Sequence, residues 1–373
     1  MKKKVLIFVC VALLMLTVVP VINIKQGNVQ KKVGEEWWSR SVLYNVDFAL
    51  PYLSRFFYTL GISIKSIQVI IGKDDWLYLG DQYANTITGS RRGANFKDVK
   101  AARKIGLATK SWEQWLKLKG VSLYRVVIGP NKSTIYPEFL PEWVQPTIVS
   151  VTDILLTNVS PGLYIDTRPA LVAAKSQYSE PLYYKTDTHW NNLGAWVAFR
   201  TFAMELARNE VGLRWFSEQQ ISVSKVNERS GGDLAKFLWM KEILRDREVS
   251  IDIASEHPIE TEQYDFETGR LTFSGGNSRI DAPKHPLLVK SKHALNQRRV
   301  LWLRDSFGEA MSPFMAATFT ETLQIHYGET DPVRFAQLVD TYKPDYVFIT
   351  VVEREALGGW FDNLPPSIFS SRK

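Results

Sequence analysis

Arg298-Arg299-Val300-Leu301-Trp302-Leu303-Arg304-Asp305-Ser306-Phe307-Gly308 carries a short apolar strand directly into an Asp-Ser turn. Val300 to Leu303 suits a strand buried on both faces. Ser312 to Phe319 follows as a helix, Thr322 to His326 as a strand, residues 331–342 as a helix and Asp345 to Val352 as a strand. Strands alternating with helices predict an α/β sheet with parallel neighbours. A serine ending such a strand stands at its carboxyl end, where open α/β sheets form their crevices. Its own N–H, and that of Gly308, are candidates to face a developing oxyanion. Taken alone, the Asp-Ser pair reads as a helix cap.

Upstream, the pattern is similar. Ile67 to Leu79 reads as two short strands about a turn at Lys73-Asp74-Asp75, and residues 96–119 as a helix. Ser122 to Ile128 is a β-type apolar run that stops at Gly129-Pro130-Asn131-Lys132. Val149 to Leu156 and Leu163 to Val172 bracket a helix or strand and a helix start, and Trp190 to Leu213 is helical. Residues 214–298 are polar and rich in Ser, Glu, Asp and Gly, and they predict an irregular excursion with a few strands.

A second constellation is Tyr183-Tyr184-Lys185-Thr186-Asp187-Thr188-His189-Trp190-Asn191-Asn192. His189 stands at the mouth of a helix capped by Asn191 or Asn192. An Asp two residues before a His can accept from Nδ1 and fix the tautomer, leaving Nε2 to take a proton. The simpler alternative is a helix cap beside a structural histidine. Together, Ser306, His189 and Asp187 have the residue types of a nucleophile, its base and an orienting acid. His326 is the reserve base; His257, His285 and His293 lie in the polar excursion and read as solvated.

Composition narrows the chemistry. The 373 residues are 45% hydrophobic and 23% charged, as in globular proteins that bury a sizeable core. Twelve Trp, 15 Tyr and 19 Phe either pack the core or offer flat faces to sugar rings. The only cysteine, Cys10, lies in the N-terminal segment, so no disulfide, cysteine metal site or thiol nucleophile serves the rest. No metal or organic cofactor is implied. The net charge of +7 comes without a zinc-finger spacing or a dense basic run in the body, so nucleic-acid binding is not expected.

Met1 to Lys4 is a basic flank, and Val5 to Ile22 is an uncharged run long enough to cross a bilayer core of about 30 Å. The lysines favour a cytoplasmic N-terminus. A retained signal-anchor is expected, with a cleaved signal peptide as the competing reading. Both place the remaining chain outside the cytoplasm. Residues 1–23 are thus the anchor. Residues 24–66 are a stalk and helical lead-in, with Trp37, Trp38, Leu43, Phe48, Leu53, Phe56, Phe57 and Leu60 at helical spacing. Residues 67–373 are the catalytic domain.

With these residues in view, the chain resembles the AlgJ/AlgX family of alginate O-acetyltransferases. Thr186-Asp187-Thr188-His189-Trp190 with Gly194-Ala195 resembles the family's Asp/His box, and Arg304-Asp305-Ser306-Phe307 its nucleophile motif. Gly72-Lys73-Asp74-Asp75-Trp76-Leu77-Tyr78-Leu79, Pro130-Asn131-Lys132 with Ile135-Tyr136-Pro137-Glu138, and Lys343-Pro344-Asp345 through Glu353-Arg354 resemble further family segments, with Asp75 where glycine is usual. The resemblance implies an SGNH-hydrolase-like α/β sheet flanked by helices, behind one transmembrane helix. AlgJ-type members, which carry an anchor and lack a carbohydrate-binding domain, are the nearer match. It also implies ping-pong transfer of acetyl through Ser306, with His189 as base and Asp187 as its orienter. Lys132, Tyr136, Arg354 and Gly308 become site-lining or oxyanion candidates. The implied partners are an exported polysaccharide acceptor and a multi-spanning membrane acyltransferase that supplies acetyl, with the catalytic domain in the bacterial periplasm. A carbohydrate acetylesterase uses the same residues, and a non-catalytic polysaccharide-binding or assembly protein retains the same fold.

Overall fold

The computed structural model describes residues 2–25, 36 and 38–366. The chain forms two compact units, residues 1–64 with 238–240, and residues 65–237 with 241–373. In the first, Lys2–Lys25 is one apolar helix (α1) whose length and composition are sufficient to cross a membrane. Arg40–Leu43 is a single helical turn (α2). A 3₁₀ turn at Asp47–Ala49 leads into Leu50–Thr59 (α3), which Pro51 helps to start. The helical lead-in is therefore a short turn and one helix. Trp37 and residues 26–35 of the expected stalk lie outside the described residues.

The second unit opens with a hairpin, Val69–Ile71 (β1) against Leu77–Leu79 (β2). Asp74 and Asp75 turn it with positive φ, 51° and 63°. Thr86–Arg92 (α4) precedes Phe96–Leu118 (α5), which starts from a reciprocal cap between Asn95 and Asp98. Leu123–Gly129 (β3), Lys132–Ile135 (α6), Val151–Asn158 (α7), Tyr164–Asp166 (β4) and Arg168–Ala174 (α8) follow. Asn192–Ala207 (α9) is capped by Asn191, whose side chain accepts from the N–H groups of Leu193 and Gly194. It stops six residues short of the expected Leu213.

Residues 214–298 are more ordered than their composition predicts. Ile221–Ser230 (β5), Asp233–Phe237 (α10) and Arg245–Ile253 (β6) come first. Glu260–Asp265 (β7), Leu271–Gly276 (β8) and Leu287–Lys292 (β9) then extend the main sheet. The chain closes with Asn296–Arg304 (β10), Ser312–Thr318 (α11), Phe319–His326 (β11), Pro332–Tyr342 (α12) and Tyr346–Val352 (β12). Between Ser306 and α11 the chain makes a 3₁₀ turn, so the helix does not begin at the serine.

The main sheet has the order β4-β3-β12-β10-β11-β9-β7-β8. Its first five strands are parallel and the last three antiparallel. Both faces of the parallel part are covered. Tyr346 and Phe348 of β12 pack with α9 and α11, while Val347, Ile349 and Val351 pack with α5 and α12. This period of two explains why β3 and β12 are buried at every residue. The carboxyl ends of β3, β12 and β10 consequently release Asn131, Glu353-Arg354 and Ser306 on one edge.

Gly106 marks the tightest helix contact, because a Cβ there would stand 2.0 Å from the Asn158 carbonyl oxygen at the end of α7. Gly106→Ala is expected to push α5 from α7 and cost about 1–3 kcal/mol in denaturant unfolding.

Candidate active site

The structure brings Ser306, His189 and Asp187 together from elements 117 residues apart. His189 Nε2 lies 2.7 Å from Ser306 Oγ, and His189 Nδ1 lies 2.6 Å from Asp187 Oδ1. With Nδ1 donating to the carboxylate, Nε2 accepts from the serine hydroxyl. Asp187 also accepts from the His189 backbone N–H at 3.1 Å. Ser306 and His189 are half-buried while Asp187 is buried, so accessibility is kept for the two groups a substrate would meet.

Each partner is held by its own strand end. Asp305 Oδ1 accepts from Phe307 N–H at 2.9 Å and Oδ2 from Val352 N–H at 2.7 Å, so one carboxylate shapes the serine turn and ties β10 to β12. Phe307 and Trp190 then lock the two motifs to each other. Trp190 Nε1–H donates to the Phe307 carbonyl at 2.9 Å, and the two rings meet edge to face at 5.0 Å. Arg304, fully buried beneath, donates to Gln324 Oε1 and to the carbonyls of Ile280 and Asp281.

The Asp/His loop has little ladder of its own beyond a bridge between Tyr183 and Trp190. Lys132 supplies what it lacks. Its ammonium, 4% exposed, donates to the carbonyls of Tyr184, Lys185 and Asp187 at 2.9, 2.8 and 2.6 Å. Three donors thus meet three acceptors, as a buried ammonium requires. Burial pushes its pKa down to about 8, and the charges of Asp246, Asp187 and Asp233 hold it from falling further.

Four residues that the sequence reading did not single out complete the loop's support. Asp246 accepts from Thr186 N–H and hydroxyl, and Asp233 from Thr188 N–H at 2.8 Å and from its hydroxyl. Arg229 comes within 3.9 Å of Asp187. Gly232 lies so close that a Cβ would stand 2.3 Å from Asp187 Oδ2. All four residues belong to the polar excursion, where composition signals only turns and exposed charge.

Electrostatics follow from this packing. Burial alone would lower the His189 pKa, but the hydrogen bond and charge of Asp187, with Asp233 behind it, raise it above the ordinary imidazole value. Burial works against ionisation of Asp187, yet the bonds and charge of His189 hold its carboxyl well below the usual carboxylate range. Asp233 moves the opposite way, raised by burial and by the Asp187 charge. Asp187, His189 and Asp233 also place ligand-type atoms within 4.8 Å of one another, the donor set of a small cation site, although His189 Nδ1 and Asp187 Oδ1 are already joined.

The remaining candidates are placed differently. Gly308 N–H donates to the Asp305 carbonyl at 3.1 Å within the 3₁₀ turn, so it is engaged rather than aimed at an oxyanion. Tyr136 is buried, its hydroxyl accepting from Leu182 N–H at 2.9 Å. Arg354 reaches the site, 5.9 Å from the Phe307 ring, and donates to Asn131 Oδ1 at 3.1 Å. Its neighbour Glu353 accepts from Asn131 N–H and the hydroxyls of Thr134 and Thr152 instead of pairing with it. His326 caps its own turn by accepting from Gly328 N–H. His257, His285 and His293 are exposed. Beyond Arg354 and Asn131 opens a cavity of 810 Å³ whose wall includes the hydroxyl-bearing Thr86, Ser90, Thr134 and Thr152.

Residues 69–263, just over half of the chain, match the family described as the SGNH hydrolase-like domain of the acetyltransferase AlgX. The chain belongs to this family. The matched stretch contains Asp187 and His189 and ends before Ser306. Over 176 residues the chain is 26% identical to a probable alginate O-acetylase AlgJ of Pseudomonas fluorescens and 28% identical to that of Pseudomonas aeruginosa. These alignments cover 46% of this chain and 41% of each relative, so the chain spans less than half of their length. Bacillus cereus PatB1 shares the fold with a TM-score of 0.57 at 16% identity, over 79% of this chain and 99% of that one. A DHHW family protein from Eubacterium siraeum does so at 0.56 and 16%, over 82% and 98%. At such identity these two likenesses concern the fold alone.

Replacing Lys132 by Met removes the ammonium that donates to three carbonyls. We expect Lys132→Met to lose about 3 kcal/mol in chemical unfolding. Because the folded pKa of about 8 lies below the unfolded lysine value, the unfolded chain binds more protons between the two. Wild-type stability relative to Lys132→Met should therefore rise with pH above about 8, a difference readable from paired unfolding curves.

Proposed function

We propose that this protein is an extracytoplasmic O-acetyltransferase that carries acetyl on Ser306 to hydroxyls of an exported polysaccharide. The observation that carries the reading is the continuous hydrogen-bonded line from Ser306 Oγ through His189 to Asp187. Ser306 Oγ attacks the acetyl carbonyl while its proton passes to His189 Nε2. Asp187 stabilises the imidazolium through Nδ1–H. The leaving group of the donor departs with that proton, and acetyl-serine remains. A sugar hydroxyl then attacks the acetyl-serine, gives its proton to His189, and the serine oxygen recovers it on release. The Ser306 N–H at the start of the turn is the nearest oxyanion donor, with Arg354 and Asn131 on the rim where the acceptor enters.

The family and the AlgJ-named relatives support acetyl transfer; the polar cavity beside Arg354, with hydroxyl and charged side chains in its wall, supports a sugar acceptor. In this reading α1 is a single-pass inner-membrane anchor, Lys2 to Lys4 face the cytoplasm, and residues 67–373 act in the periplasm. Acetyl arrives from a membrane-embedded acyltransferase partner. The competing esterase reading uses the same line with water in place of the sugar.

Purified protein given an acetyl-ester donor, with and without oligosaccharide, should yield acetylated sugar by mass. Free acetate alone in both arms would replace transfer by hydrolysis. Ser306→Ala is expected to abolish acetyl turnover with an unchanged unfolding curve, and wild-type turnover by this variant would remove Ser306 from the mechanism. Asp187→Asn should lower turnover by roughly 10³–10⁴-fold. Since the neutral imidazole is the base, wild-type rate should climb with pH through an inflection above 6.5. In Asp187→Asn the burial remains but the carboxylate's pull is gone, so the inflection should move to lower pH.

A further inference from the structure

An apolar side of α3 faces outward. Tyr52, Leu53, Phe56 and the C-cap Leu60 fall on one helical face and are 77%, 47%, 60% and 57% exposed. On the opposite side Ser54 is 2% exposed and Leu50, Phe57 and Tyr58 are half-buried, so α3 is apolar on both sides. A helix on the surface of a soluble protein turns polar residues outward. In the turn before α3, Tyr44 and Val46 are also 42% and 51% exposed. An exposed apolar surface of this extent marks a contact with something other than water.

The end of α1 indicates what that is. Asn23, one residue beyond the apolar run, is 1% exposed and its side-chain amide donates to the carbonyls of Leu43 and Asn45, both at 2.8 Å. Residues 43–45 are therefore level with the point where α1 passes out of the hydrocarbon. From Asn45 the chain runs through a 3₁₀ turn into α3, a compact path that advances only about 12 Å before Tyr52. Within residues 38–64, Arg40 and Arg55 outnumber the single acid, Asp47. Arg55 borders the apolar stripe, where its stem can lie along lipid while its head reaches phosphate.

We propose that the outward face of α3 is seated in the headgroup layer of the same bilayer that α1 crosses. The first unit then holds the membrane twice, by a spanning helix and by a helix lying at the surface. The lipid occupant follows from continuity with α1 and from the basic border. The inference rests on α1 being membrane-embedded and is independent of the acetyl chemistry.

The test uses the full chain with Cys10→Ser, which removes the native thiol, and single spin-labelled cysteines at Leu13, Tyr52, Phe56, Leu60 and Ile148. Each is placed in nanodiscs of phosphatidylglycerol and phosphatidylethanolamine and probed with oxygen and a water-soluble nickel chelate. Ile148, 100% exposed, is the aqueous reference. Labels at Tyr52, Phe56 and Leu60 should show a several-fold higher oxygen-to-nickel collision ratio than Ile148, with Leu13 highest. Ratios at all three equal to Ile148, beside an oxygen-rich Leu13, overturn the seating of α3 and leave the anchor standing. An aqueous Leu13 overturns both. Shielding of the three labels from both reagents means that protein covers the face, and it overturns the lipid occupant.

Discussion

A single buried ammonium organises the candidate active site. Lys132 begins α6 at the carboxyl end of β3, and its three donors close on the carbonyls of residues 184, 185 and 187 in the Asp/His loop. An ammonium out of water is tolerated only when every proton is received. The loop must therefore adopt the one path that presents those carbonyls, and that path sets Asp187 and His189 beneath Ser306. Leu77 N–H adds to the same Lys185 carbonyl at 2.9 Å, so the β1–β2 hairpin is fastened to the loop as well.

The second constraint is the contact between the two motifs. Trp190 and Phe307 follow His189 and Ser306 directly in sequence, and each is fully buried. Their hydrogen bond and edge-to-face packing fix the distance between the residues that precede them. The large side chains supply rigidity and the small polar ones stay accessible, a division expected where geometry must survive without substrate.

Much of this was readable from the residue pattern, and the rest was hidden for identifiable reasons. The strands from Leu123, Val300, Phe319 and Tyr346 are apolar because both sheet faces are covered, and such runs stand out in a sequence. The structure gathers Asp187, His189 and Ser306, which each end or precede a regular element. The strands β7 and β8 were obscured because neither alternates clearly; β8 is exposed at nearly every position. Lys132 enters as a site-lining candidate, but nothing local reveals that it is a buried strut whose acceptors lie 52 to 55 residues away. Asp233 and Asp246 support the loop across similar separations, and a lone carboxylate in a polar stretch carries no mark of its partner. The place of Gly308 after the serine suggests an oxyanion donor, but the tight 3₁₀ turn takes its N–H.

The parallel register of β3, β12 and β10 has a consequence for how the protein can diversify. Three neighbouring strands deliver their last residues to one rim, yet the side chains there answer to different constraints. Residues 305–307 and the Asp/His loop are interlocked, so a change in one strains the others. Arg354 and the hydroxyl-bearing wall beyond it are tied instead to Asn131 and Glu353, a set of bonds separate from the serine and histidine motifs. Substitution along that wall can reshape the cavity while the bonded line from Ser306 to Asp187 stays as it is, so what such a cavity admits is free to drift faster than the line itself.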